Sequence, residues 1–362
     1  MTVNRLRYPG LLLAFLASLI QPVAATPVAD IAVLLPQKGR LTQVGQSIRD
    51  GLLAAYYQDS AAGSDSPRLR FYDSSEMPAP VLVQLAVANG ATAVIGPLDR
   101  EQVQALLVAG VPPVPVLALN RAAGGQQAVF QMALSPEDEV ATLAQWMHQR
   151  GLRRPLLLAQ QSDAAALRFL QLFDVAWIGL TGNKPLRHSL DDTRKGGVAA
   201  AVRDLATHAA AADSLFLASP AIATQVQPAL TYYRQALPLF TLSSAWSPDV
   251  DTADQQDLDG LGFCGLPWML EAERPEQTAL YEAQPRPAAS HDRLHAFGAD
   301  AWSVLRSLNR VRQGEALALR TGRLQMDGNG HLIRLPTCAE IRHGTATIVF
   351  TPEPSEPATN RR

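Results

Sequence analysis

The 362-residue chain reads as an α/β protein made of two successive, doubly wound parallel sheets. Three observations predict this. From Asp30 onward, short β-branched or Leu-rich runs alternate with longer stretches of helical period, the pattern of parallel strands joined by crossover helices. A strong helix start at Ser135-Pro136-Glu137-Asp138, after which the alternation begins again, divides the pattern in two. The length, with 47% hydrophobic and only 18% charged residues, suffices for two cores rather than one.

The chain opens with Arg5 and Arg7, an apolar run from Leu11 to Ile20, and small residues at Val23-Ala24-Ala25. This is the pattern of a cleaved secretory signal over residues 1–25, with Thr26 as the first residue of the exported form. The apolar run is about half the roughly 20 residues that span a membrane. No Cys stands in this region, so a lipid anchor is not expected, and the expected location is the periplasm.

The first lobe is expected over 28–133. Ile31 to Leu35 forms its first strand, stopped by Pro36, and Leu41 to Tyr57 its first helix, with Val44, Ile48, Leu52 and Tyr56 on one stripe. Further strands fall at Leu69–Tyr72, Ala93–Ile95 and Val114–Leu119. The helix from Ser135 to Arg150, with acids against its dipole, carries the chain into a second lobe over 134–270. There strands are expected at Leu156–Ala159, near Leu186, at Ser214–Ala218 and at Leu239–Leu242, with helices over Asp163–Ala176 and Gly197–Ala211. Residues 271–350 are expected to complete the lobes and hinge. A polar, Pro-rich loop to Ala289 leads to a helix over Leu294–Gln313 and a hairpin whose turn is Asp327-Gly328-Asn329-Gly330. The polar tail 351–362 is expected to be disordered.

Ligands of open α/β sheets bind at the carboxyl ends of the strands, where helix N-termini converge. The candidate cleft residues are therefore Gln37, Gly39, Arg40, Gly96, Pro97, Asn120 and Arg121 from the first lobe, and Ser162, Asp163, Ser219, Ser243 and Ser244 from the second. The alternative is that these polar loops merely face a solvated cleft. Export gives Cys264 and Cys338 the chance to pair, and two buried free thiols are the other reading.

The remaining motifs argue against catalysis. Gly260-Leu261-Gly262-Phe263-Cys264-Gly265 has the letters of a dinucleotide fingerprint but runs into Pro267-Trp268 instead of a helix. Glycines around a strand explain it better. His291 and His295 share a helical face beside Asp292 with no further ligand nearby, so solvated histidines at a helix end are expected and no metal. Nucleophile elbow, His-Glu-x-x-His and phosphate loop are all missing, so neither enzyme nor cofactor is expected. The formal charge of −2 gives no reason to expect nucleic acid.

Ordered segments resemble the penicillin-binding protein activators, the LppC/LpoA lipoprotein family. Ile31 to Pro36, Gly39-Arg40, and the stretch from Gly45-Gln46 through Ile48-Arg49-Asp50-Gly51-Leu52 to Ala54-Ala55-Tyr56 are similar to the family's opening strand and helix. Val94 to Leu98, Pro115 to Asn120, Ala133 to Glu139, Phe263 with Pro267-Trp268, Arg293-Leu294, Phe297 to Ala301, and Gly322-Arg323-Leu324 follow in the family's order. The resemblance implies a type I periplasmic-binding-protein fold and a role in stimulating a class A penicillin-binding protein. The family's N-terminal helical repeats and lipid-anchoring Cys are not expected here, since the sequence shows neither pattern. A receptor that hands amino acids or similar small molecules to an ABC-type transporter is the alternative. Such receptors place a Ser or Thr hydroxyl after the third strand, where this chain has Leu98-Asp99.

Overall fold

The computed structural model describes residues 30–61, 63, 67–191, 193, 195–205, 210–271 and 289–353. The expected signal and Thr26, most of the Pro-rich loop and the tail from 354 lie outside the described residues.

The first part of the chain runs β1 (Asp30–Leu35), α1 (Thr42–Ala61), β2 (Arg68–Asp73), α2 (Ala79–Ala88), β3 (Ala91–Ile95), α3 (Arg100–Val108), β4 (Val116–Ala118) and β5 (Val129–Met132). It then crosses into α4 (Pro136–Gln149), β6 (Pro155–Gln160), α5 (Ala166–Thr181), β7 (Leu186–Leu190) and α6 (Gly197–Asp204). The second sheet continues through β8 (Ser214–Leu217), α7 (Ala223–Tyr232), β9 (Leu239–Leu242), β10 (Gly262–Gly265) and the short α8 (Pro267–Leu270). The last third comprises α9 (Ala289–Arg306), α10 (Leu308–Arg312), β11 (Leu317–Leu319), β12 (Gly322–Met326), β13 (His331–Leu335), β14 (Thr337–Arg342) and β15 (Thr345–Phe350).

Among the described residues, one sheet has the order β11-β12-β13-β5-β4-β3-β1-β2 and the other β15-β14-β10-β9-β8-β6-β7. Both are parallel in their centres and gain antiparallel strands from the last third of the chain. Both faces of each sheet are covered, as all-parallel pairing requires. In β1, Ile31, Val33 and Leu35 pack with α1 and α9, whereas Ala32 and Leu34 pack with α2 and α3. In β6, Leu156 and Leu158 face α6 and α7, and Leu157 faces α4 and α5.

The strand positions match the alternation of the sequence closely, and the differences have physical causes. The helix expected over Leu294–Gln313 is two helices, the first starting at Ala289 and breaking at Ser307. Strands β5, β11, β14 and β15 were not expected, and β11, at three residues, is too short to show a period. His295 corrects an expectation. It is not solvated but only 5% exposed, because the earlier helix start places it where α9 crosses α1. The crossing is close enough to need two glycines, since a Cβ on Gly51 would lie 1.8 Å from the His295 carbonyl oxygen and one on Gly298 would lie 1.9 Å from that of Ile48.

Candidate functional site

Among the described residues, the chain passes from one sheet to the other between β5 and α4 and again between β13 and β14. A buried ionic network ties these passages together. Arg121, in the loop after β4, donates two parallel bonds of 2.7 Å to the Asp138 carboxylate in the first turn of α4, and a third of 2.6 Å to the Leu332 carbonyl. Asp138 also accepts the backbone N–H of Arg334 at 3.0 Å. The Arg334 guanidinium, 2% exposed, donates to the Ala133 carbonyl and to the Thr321 hydroxyl. Asp300 of α9 accepts from Thr321 through N–H at 2.7 Å and hydroxyl at 2.5 Å. Burial pushes the Arg334 guanidinium down to about 10, against the opposing pull of Asp300 and Asp138, and burial raises the Asp300 carboxyl. Each charge has an opposite neighbour, which desolvated charges require.

Beside this network lies a cavity of about 420 Å³. Ser135, Pro136 and Glu139 come from the start of α4, Phe169 from α5, and Ser243, Ser244 and Trp246 from the turn after β9. The β10 end, α8, Arg293 of α9, Arg334 and Pro336 close it. Glu139 is deeply set yet part of its surface opens to the cavity. Its Oε1 accepts the Ser243 N–H at 2.5 Å. Burial pushes its carboxyl up to about 7, with Ser243 and Arg293 pulling the other way. The indole of Trp246 stacks on Phe263 with centroids 5.8 Å apart, and its buried Nε1 donates to no described group. Cys264 and Cys338 stand opposite one another on antiparallel β10 and β14 and are joined in a disulfide, with Cys264 on the cavity wall.

Of the candidate cleft residues, Ser243 and Ser244 line this cavity, and Gln37 lines a smaller recess of about 180 Å³ over Arg49 and Phe71. Several others hold the backbone. Gly39 sits at a φ of +80° and its carbonyl accepts from Thr42, while Arg40 reaches Asp99 at 3.5 Å with its side chain mostly exposed. Gly96 has a φ of +99°, and a Cβ there would meet the Leu34 carbonyl oxygen at 2.1 Å. The Pro97 carbonyl accepts from Leu119, and Asn120 donates to the Leu98 carbonyl. Arg121 belongs to the ionic network, Asp163 accepts the N–H groups of Ala165 and Ala166 to open α5, and the buried Ser219 hydroxyl accepts from Gln160. Ser162 is exposed after β6 and does not line the cavity. Glu139, Trp246 and Arg293 were missed as site residues. Glu139 and Arg293 did stand inside family-like segments, which was their one signal in the sequence.

Among the described residues no group of three His, Cys, Asp or Glu side chains could hold a metal ion. Asp292, beside His295, accepts the Trp268 indole N–H at 2.8 Å. No helix among the described residues is long and apolar enough to cross a membrane.

Comparisons with known proteins bear on the family and the fold. The chain is 28% identical over 319 residues to "Penicillin-binding protein activator LpoA" of Mannheimia succiniciproducens, covering 85% of this chain and 53% of that protein. It spans about half the length of the curated relatives it matches. The "LpoA (YraM) C-domain from Haemophilus influenzae, a regulator of PBP1A" superposes with a TM-score of 0.76 at 24% identity, covering 89% of this chain and all of that one. A chain from Chromobacterium violaceum described as "a putative branched-chain amino acid ABC transporter" gives 0.72 at 26% identity, covering 86% and 100%. The fold is therefore the two-lobed α/β architecture that these proteins share. The family model described as "LppC putative lipoprotein" matches residues 14–344, nearly the whole sequence. This chain belongs to the LppC family.

Proposed function

We propose that this protein is a non-catalytic activator of a class A penicillin-binding protein, acting in the periplasm to stimulate peptidoglycan synthesis. The observation that carries the reading is the similarity to curated penicillin-binding protein activators, at 28% identity over 319 residues that take in both sheets. The geometry supports it. Strand-end groups that could have held a substrate are spent on loop carbonyls, helix starts and the ionic network. An activator needs only a surface that binds the enzyme's active state more tightly than its resting state. A preference of about 1 to 3 kcal/mol yields roughly 5- to 150-fold.

The fold shared with a transporter-associated chain favours the alternative of a solute receptor. The loop after β3 speaks against it. Leu98 there is buried, and the Asp99 carboxylate accepts the Glu101 N–H at 2.8 Å, capping α3 and leaving no hydroxyl for a ligand carboxylate. The test is cross-linking by a purified class A penicillin-binding protein in reconstituted synthesis, with and without this protein. A higher cross-linking rate, with no turnover by this protein alone, is the expected outcome. An unchanged rate at saturating concentration would overturn the reading.

A further inference from the structure

The cavity beside Glu139 carries features that activation of a partner does not use. Its volume of about 420 Å³ falls within the roughly 300–1,000 Å³ of small-molecule sites. Its walls are mainly apolar, with Phe169, Trp246 and Phe263 as aromatic surfaces. Two opposite charges open onto it from different lobes, the Glu139 carboxylate at the entry to the second and the Arg293 guanidinium on the helix packed against the first. Arg293 is exposed and makes no hydrogen bond or ion pair with another described residue. The other cavity-facing guanidinium, Arg334, is already spent on Ala133 and Thr321. The indole N–H of Trp246 is a further donor without a described acceptor.

We propose that this cavity binds a small zwitterion with an apolar side group, its ammonium on Glu139, its carboxylate on Arg293 and its side group against the aromatic walls. None of the first lobe's strand-end loops at 37–40, 96–99 or 119–121 lines the cavity. The site is thus an effector pocket at the lobe junction. A ligand joining Glu139 to Arg293 bridges the two lobes and binds best at the one angle between them that fits, so it shifts the population toward that angle. The electrostatics support the assignment. Glu139, held near 7 by burial, is about half protonated at neutral pH, and an arriving ammonium would expel that proton. A ligand with a carboxylate alone would instead draw a proton in by occupying Arg293.

The experiment is titration calorimetry of the purified full chain at pH 7 with both enantiomers of leucine, methionine and phenylalanine. Each is compared with the matching amine lacking the carboxylate and the matching acid lacking the ammonium. At least one zwitterion should bind about tenfold or more tightly than both its analogues, and Glu139→Gln and Arg293→Gln should each weaken it by about tenfold or more. Titrations in buffers of different ionisation enthalpy should report net release of protons on binding. Arg293 lies on the exposed rim, so Arg293→Gln tests the site even where Glu139→Gln perturbs folding. The proposal is overturned by no saturable binding at millimolar concentration, by analogues that bind equally well, or by an affinity that Arg293→Gln leaves unchanged. No synthase enters the measurement, so its outcome is separate from that of the activator assay.

Discussion

Glu139 makes the stability of the protein depend on pH in a direction opposite to most carboxylates. Its folded-state value of about 7 exceeds the ordinary 4.5, so the folded chain keeps a proton that the unfolded chain has lost. The stabilisation is fully present below pH 4.5 and is lost as pH rises to about 7. Glu139→Gln keeps an acceptor for the Ser243 N–H and cannot ionise. It should therefore gain about 3 kcal/mol on the parent protein between pH 4.5 and pH 8. Urea unfolding at the two pH values measures this, and parallel pH profiles for the two proteins would contradict it. Burial holds the His295 imidazole below its usual range and works in the other direction, but it is common to both proteins and cancels in the comparison. At Asp138 the expectation is a plain loss. Asp138→Ala would leave Arg121 without its bidentate partner and the Arg334 N–H without an acceptor, costing about 3 kcal/mol by denaturant unfolding.

At the scale of elements, the α1–α9 crossing and the β10–β14 pairing bind the end of the chain to its beginning and middle. Gly51 and Gly298 each face backbone of the other helix, which cannot rotate away as a side chain could. Gly298→Ala should cost about 1–3 kcal/mol or more through forced separation of the helices, although alanine is the better helix former. An unchanged melting temperature would mean that the helices have slack. The disulfide between β10 and β14 closes a loop of 74 residues. Replacing Cys264 and Cys338 together by Ala should lower stability by about 4 kcal/mol through the freed entropy of the unfolded chain. Unfolding of the parent protein with and without reductant checks the same figure.

For the whole molecule, the last third of the sequence completes both sheets. It supplies β11 to β13 and α9 to one lobe and β14 and β15 to the other. Truncation after Leu270 should therefore abolish folding of both lobes, not just the final one. Circular dichroism and limited proteolysis of the shortened chain would reveal it, and a protease-resistant core of residues 30–132 would refute it. The crossovers at Ser135 and Pro336 flank the buried network of Arg121, Asp138, Arg334 and Asp300.

The sequence by itself determined the α/β class, the restart at Ser135 and the positions of the long central strands. Each of these rests on local periodicity, and β9 at Leu239–Leu242 was legible to the residue for that reason. The hairpin at Asp327 to Gly330 was equally local, since its residues tolerate the turn and Asp327 accepts the N–H groups of Asn329 and His331. Only the tertiary structure decided which polar residues matter. Asn120, Asp163 and Ser219 look like ligand groups in sequence, and folding gives each a backbone carbonyl or N–H group as a hydrogen-bond partner. Glu139 and Arg293 are separated by 153 intervening residues and belong to different lobes, and no periodicity can report that they line one cavity. Local pattern fixes the elements because backbone geometry is local, whereas the shared desolvation of distant charges exists only once the lobes have packed.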